Sequence, residues 1–173
     1  MTLVILTDEA DNSLRLEDSV RAHENGDLHR AFSVFVFDRE GKILLQRRSH
    51  AKRQFPGLWT NTCCGHPSTD EGLGAAAEGR LQEEMGFTTP LREVATFVYK
   101  AVDGTSGRTE HEYDHIFVGI FDGQPFPDPI EAEDWRWSTL EDVRADVSAR
   151  PGAYTPWFPL ALRRLPKDQG CPA

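Results

Sequence analysis

Glu110-His111-Glu112 places two carboxylates two residues apart. On a β-strand, positions i and i+2 share a face, so Glu110 and Glu112 point one way and His111 the other. Like charges this close need something positive between them. A metal site uses them in that way, although for a lone Glu-x-Glu a solvated strand face is the commoner outcome. His23 and His29, which flank the short loop Glu24-Asn25-Gly26-Asp27, and His66, which follows Gly65, extend the set to three imidazoles and two carboxylates. That donor mix suits Zn, Mn or Mg with one open position and does not decide among them. The five lie far apart in sequence, so their convergence is an expectation for the fold to test. Cys64 stands two residues before His66. A buried cysteine is most often a small hydrophobe, but beside a metal-bound histidine and a basic segment its thiolate is stabilised and reactive. Cys63 points the other way if the segment is extended and is assigned to packing.

A second chemistry follows in Arg80-Leu81-Gln82-Glu83-Glu84-Met85-Gly86-Phe87. The pattern predicts a helix from about Glu71 to Met85, stopped by Gly86. Leu73, Ala77 and Leu81 recur at i+4 and face the core. Arg80 and Glu84 recur at the same spacing on another stripe, so one face presents a cation and a carboxylate. Upstream, Arg47-Arg48-Ser49-His50-Ala51-Lys52-Arg53 carries four firm cations in a chain whose formal net charge is −9. Such runs are usually solvated loops. The alternative is an anion clamp, favoured here because a diphosphate-type helix comes soon after.

The elements that must position these groups read as α+β, one mixed sheet packed between helices. Strands are expected over the N-terminal 1–6, 31–37, 42–47, 94–102, 112–121 and 135–137 segments. Helices are expected from the Ser138-x-x-Glu141 capping box to about Val147, and over 159–165. The tail from Pro166 reads as loose. At 173 residues, with 39% hydrophobic and 27% charged content, the chain reads as one domain with a real core. No apolar run reaches membrane-spanning length. Three cysteines, two of them adjacent, suggest no disulfide framework, and the expected compartment is a reducing cytoplasm. The acidic balance argues against nucleic acid or an anionic membrane as partner. The expected state is a monomer.

Trp59-Thr60-Asn61-Thr62-Cys63-Cys64-Gly65-His66-Pro67, His23 with His29-Arg30-Ala31-Phe32, Glu110-His111-Glu112 and Thr155-Pro156-Trp157 together resemble type I isopentenyl-diphosphate delta-isomerase, a branch of the Nudix superfamily. The resemblance runs from the N-terminus to about Arg164. It implies a Nudix-type fold in which residues 1–30 form an extension that contributes metal histidines. It implies that Cys64 and Glu112 are the catalytic pair, that Tyr99 stands near the glutamate and that Trp157 faces the reacting carbon. It further implies that His23, His29, His66, Glu110 and Glu112 hold one divalent ion (Mn²⁺, Zn²⁺ or Mg²⁺), that Glu84 holds Mg²⁺ against the substrate diphosphate, and that Arg48, Lys52 and Arg80 contact that diphosphate. Ser19 stands where some members carry a lysine toward the diphosphate, and the loop between His23 and His29 is one residue shorter than in a bacterial relative.

A hydrolysing Nudix enzyme resembles Gly-x5-Glu-x7-Arg-Glu-hydrophobic-x-Glu-Glu-x-Gly-hydrophobic. Gly65, Glu71, Leu81, Glu83, Glu84, Gly86 and Phe87 fit that frame, but Gly79-Arg80 replaces its Arg-Glu pair. A guanidinium in place of a carboxylate removes a metal ligand and adds a phosphate binder. The replacement argues against hydrolysis, and the reaction the resemblance implies is a 1,3-allylic proton shift on isopentenyl diphosphate. The rivals are a pyrophosphohydrolase acting on a nucleoside diphosphate derivative and a catalytically silent, metal-stabilised binding domain.

Overall fold

The computed structural model describes residues 2–67 and 72–166. Glu71 and the tail beyond Pro166, both singled out above, lie outside the described residues. The chain runs β1 (Leu3–Thr7), β2 (Ser13–Asp18), α1 (Ser19–Asn25), β3 (His29–Phe37), β4 (Ile43–Arg48), β5 (Trp59–Thr60), β6 (Cys63–Gly65), α2 (Leu73–Met85), β7 (Arg92–Val102), β8 (Thr109–Ile120), β9 (Ala132–Ser138), α3 (Leu140–Ala149), a 3-10 turn at Pro151–Ala153, and α4 (Trp157–Leu162).

β3 is the hub of one mixed sheet. It runs parallel to β8 and antiparallel to β1, β4 and β6; β7 adds to β8, and β9 and β5 add to β4. Period-2 alternation sends Phe32, Val34 and Val36 into a cluster with Leu44, Ala77, Leu81 and Met85 beneath α2. Phe35 and Phe37 go the other way, to Ile43, Leu45, Val143 of α3, and Phe158 and Leu162 of α4. A strand covered by helices on both faces has no solvent side, which is why 31–37 reads as a nearly unbroken apolar run. The α+β layering expected from the sequence is the one found.

Differences are local. The sequence reading put no helix over His23. There, Asp18 accepts from the N–H groups of Val20 and Arg21 and starts α1, which Gly26 ends at φ +69°. The α3 cap is Thr139 rather than Ser138: the Thr139 hydroxyl oxygen accepts from the Asp142 N–H at 3.1 Å. α4 begins at Trp157 and ends at Leu162 instead of spanning 159–165, and β8 starts at Thr109, three residues before its expected boundary. Gly86 does stop α2, at φ +75°, and a Cβ there would meet Phe126 O at 2.5 Å.

Candidate active site

Parallel pairing puts His29 opposite Glu112, and antiparallel pairing puts Tyr99 opposite the same residue. The β8 alternation expected from Glu-x-Glu holds, with Glu110, Glu112 and Asp114 all buried. His111 faces away, with Nδ1 2.9 Å from Gly26 O. α1 brings His23 over this patch, and the turn after β6 brings His66. One ligand atom from each of His23, His29, His66, Glu110 and Glu112 lies within 4.8 Å of every other. The contacts are His23 Nε2 to Glu110 Oε2 at 3.0 Å, His29 Nε2 to His66 Nε2 at 3.2 Å, and His66 Nε2 to Glu112 Oε1 at 3.0 Å.

The outer partners decide what this set can hold. His23 Nδ1 meets Ser19 O, and His29 Nδ1 meets Asp27 O at 2.8 Å. A carbonyl needs a donor, so each Nδ1 carries a proton and each Nε2 is the atom turned to the site. Turned on two buried carboxylates, these nitrogens need a cation between them: a proton, which Glu110 favours on His23 against desolvation, or a metal ion. The donor set fits a divalent metal.

Electrostatics follow the same lines. Desolvation pulls the His66 imidazole below its ordinary value, against the pull of Glu112. Burial raises the Glu112 carboxyl, but the His29 and His66 imidazoles beside it, at 3.7 and 3.0 Å, outweigh it and hold the group well below the usual carboxylate range. The Tyr99 hydroxyl donates to Glu112 Oε2 at 2.6 Å. Burial first, and the adjacent carboxylates second, keep that phenol protonated. Glu112 thus has one oxygen on the metal-ligand side and the other on Tyr99.

Cys64 pairs with Ser33 in the β3–β6 ladder, so Cys64 and Glu112 come from strands on either side of β3. Cys63 is fully buried in the α2-side cluster, as expected. The Cys64 thiol is pushed up to about 12, first by desolvation and then by Asp114, so in the metal-free protein burial prevails over the expected thiolate. Asn61 connects two site residues, its Nδ2 donating to Cys64 Sγ at 3.1 Å and its Oδ1 accepting from Trp157 Nε1 at 3.2 Å. The Trp157 ring lies 6.0 Å from Tyr99, and Arg48 Cζ sits 5.4 Å from its centroid. Trp135 and Trp137 pack elsewhere, against the α2-side cluster.

Cys64, His66, Tyr99, Glu110, Glu112, Trp157, Arg48, Lys52 and Arg80 line one cavity of ≈ 700 Å³. Glu84 lies just behind it, 3% exposed, and accepts from Gln46 Nε2 at 2.8 Å and from Arg80 Nη2 at 2.8 Å. The basic run divides. Arg48, Lys52 and Arg53 face the cavity, while Arg47 and His50 pair with Glu133 at 3.1 and 2.6 Å. Ser19 turns to His23, its Oγ 3.5 Å from Nδ1.

Sequence reasoning placed Asn61 in its motif without giving it a role, and missed Ser33, Asp114 and Glu131. Asp114 is fully buried and accepts from the Ser33 hydroxyl at 2.7 Å, while its other oxygen has no partner among the described residues. Burial and the Glu112 charge push it well above the carboxylate range. Continuing the Glu110, Glu112 alternation by one step finds it. Nothing local marks Glu131.

The Nudix domain model matches residues 27–158. The isopentenyl-diphosphate Delta-isomerase of Nocardia farcinica is 49% identical over 156 residues, covering 90% of this chain and 89% of that protein. The one from Serratia proteamaculans is 45% identical over 164 residues, covering 94% and 90%. The crystal structure of DR0079 from Deinococcus radiodurans superposes with a TM-score of 0.76 at 20% identity, over 94% of this chain and 98% of that one, a likeness of fold alone. With near-half identity spread over nearly whole chains, and a Nudix match across most of its length, this protein belongs to the isopentenyl-diphosphate Delta-isomerase family of the Nudix superfamily.

Proposed function

We infer that this enzyme converts isopentenyl diphosphate to dimethylallyl diphosphate by moving one proton onto the terminal alkene carbon and another off the carbon nearer the diphosphate. The branched carbon bears positive charge in between, and the composition of the substrate is unchanged. Cys64 and Glu112 are the proton-handling pair. The observation that carries this reading is the joining of two unlike sets of groups in one cavity. Its lining combines a thiol, a carboxylate with a dedicated phenol donor, and an indole with guanidinium and ammonium groups.

Arg48, Lys52 and Arg80 hold the diphosphate. Glu84 would hold Mg²⁺ against it, and the His23, His29, His66, Glu110 and Glu112 set would hold Mn²⁺, Zn²⁺ or Mg²⁺. When bound, these ions supply charge neutralisation at the phosphates and fix the Glu112 carboxylate in place. Tyr99 keeps its hydrogen bond on the Glu112 oxygen turned away from the histidines, which sets the position and basicity of that oxygen. Trp157 offers its indole face to the cationic carbon, at the end of the cavity where Tyr99 and Trp157 are themselves buried. Arg80 stands where a hydrolase frame has a carboxylate, and it grips the diphosphate without activating water. The compartment is a reducing cytoplasm and the working unit a monomer. The test is product analysis with isopentenyl diphosphate and Mg²⁺: the allylic isomer should form with no phosphate released. Release of phosphate, or of a monophosphate from nucleoside diphosphate derivatives, would instead support hydrolysis.

A further inference from the structure

Lys52 and Arg80 are already engaged. Lys52 Nζ bonds Glu131 Oε2 and lies 3.7 Å from Glu84 Oε1. Arg80 Nη2 lies 2.8 Å from Glu84 Oε1 and 2.9 Å from Glu131 Oε2. The four side chains form a ring of alternating charge, and Arg80 Nη1 also pairs with Glu83 Oε2 at 2.9 Å at the cavity's edge. Of the ring's two carboxylates, Glu131 lines the cavity and Glu84 lies behind. Burial alone would raise the Glu131 carboxyl, but the Lys52 and Arg80 contacts overcome it and keep the group below its ordinary value, hence an anion at neutral pH.

Glu131 is also fixed in place. Its N–H donates to Asp128 O at 2.9 Å, its carbonyl accepts from Ser49 N–H at 3.0 Å, and Asp128 N–H donates to Glu84 O at 3.0 Å. These bonds tie it to the loop carrying Lys52 and to the helix carrying Arg80. An incoming diphosphate therefore meets a negative group between the two cations expected to bind it. A bare diphosphate is repelled by Glu131, whereas one that arrives with a divalent cation brings the charge that both carboxylates need.

We propose that Glu131 is a specificity-determining residue that makes the cavity accept a diphosphate only as its divalent-cation complex. The inference rests on the reading that Lys52 and Arg80 bind the diphosphate. It assigns Glu131 an electrostatic role: it opposes the naked anion and joins Glu84 in facing the accompanying cation. A carboxylate serving only to prop the two cations would behave differently, since its loss would weaken every anion alike.

Calorimetric titration with inorganic pyrophosphate, with and without Mg²⁺ at constant ionic strength, separates the cases for the wild type, Glu131→Gln and Glu131→Asp. In Glu131→Gln, metal-free pyrophosphate should bind about tenfold more tightly than in the wild type, a change of about 1.4 kcal/mol, and most of the Mg²⁺ enhancement should disappear. Glu131→Asp keeps the charge and should keep the wild-type Mg²⁺ dependence. Equal weakening of Glu131→Gln in both conditions, or no change in either, would overturn the proposal while leaving the diphosphate site intact. Failure of wild-type protein to bind pyrophosphate even with Mg²⁺ would defeat the diphosphate reading and this inference with it.

Discussion

The Tyr99 hydroxyl donates to Glu112 Oε2 at 2.6 Å because β7 and β8 pair these two residues directly across the ladder. The other carboxylate oxygen, Oε1, is 3.0 Å from His66 Nε2. Glu112 therefore joins the candidate metal set to the Tyr99 donor. Tyr99→Phe removes the donor without changing the ring, so Glu112 should keep its place and lose control of its proton affinity. Turnover should fall by about 10²-fold, the lower end for a group serving general acid–base chemistry. Pyrophosphate affinity should not change, and steady-state kinetics beside a binding titration checks both.

Trp157 is 3% exposed and anchored through its indole N–H to Asn61. If its face stabilises the cationic carbon by about 2 kcal/mol, Trp157→Leu should lower kcat roughly thirtyfold. Trp157→Phe, which keeps an aromatic face, should fall between Trp157→Leu and the wild type. Equal rates for Phe and Leu at this position would assign Trp157 to packing alone.

Metal removal should cost stability as well as activity. The five candidate ligands come from α1, β3, the turn after β6, and β8, so an ion binding them ties distant segments of the folded state together. A ligand present at a hundredfold over its Kd stabilises by about 2.7 kcal/mol. Chelation should lower Tm, and adding back Mn²⁺, Zn²⁺ or Mg²⁺ one at a time should identify the ion that restores both Tm and turnover. His29→Ala should abolish the Tm response. An unchanged Tm after verified metal removal would contradict the five-ligand site.

Cys64 gives a pH signature. Its folded value, about 12, lies above that of an ordinary thiol, so at neutral pH the metal-free protein holds Cys64 almost entirely as the thiol. Below that value the thiolate fraction, and with it the alkylation rate, rises about tenfold per pH unit. Alkylation of metal-free protein should therefore be slow at pH 7 and climb steadily to pH 9 without a plateau. Peptide mapping distinguishes Cys64 from buried Cys63 and from Cys171. A plateau below pH 8 would mean that the thiolate is stabilised in the absence of metal.

Periodicity made much of this legible. The β8 alternation exposed Glu110 and Glu112, the apolar run exposed β3, and Arg80 and Glu84 announced their shared helix face. Convergence was not legible, because the metal set depends on β3–β8 pairing and on α1 packing over it. α1 was overlooked because seven residues give little periodicity, although Asp18 at its start and Gly26 at its end were signals. Ser138 and Thr139 are both good caps, and only backbone geometry chose Thr139. The basic run mixed a cavity wall with a surface cluster because Glu133, far along the chain, takes Arg47 and His50. Glu131 escaped notice for the same reason: its partners lie on α2 and in the loop after β4.

The most direct measurement is turnover of isopentenyl diphosphate with Mg²⁺ in D₂O, followed by NMR, on the wild type, Cys64→Ala and Glu112→Gln. The wild type should yield dimethylallyl diphosphate with solvent deuterium in the methyl group formed from the former alkene terminus. Both variants should bind pyrophosphate and form no labelled product above a residue about 10²–10⁴-fold below the wild-type rate. Unlabelled product from the wild type, or wild-type labelling in either variant, would contradict the assignment of Cys64 and Glu112 as the groups that exchange protons with the substrate.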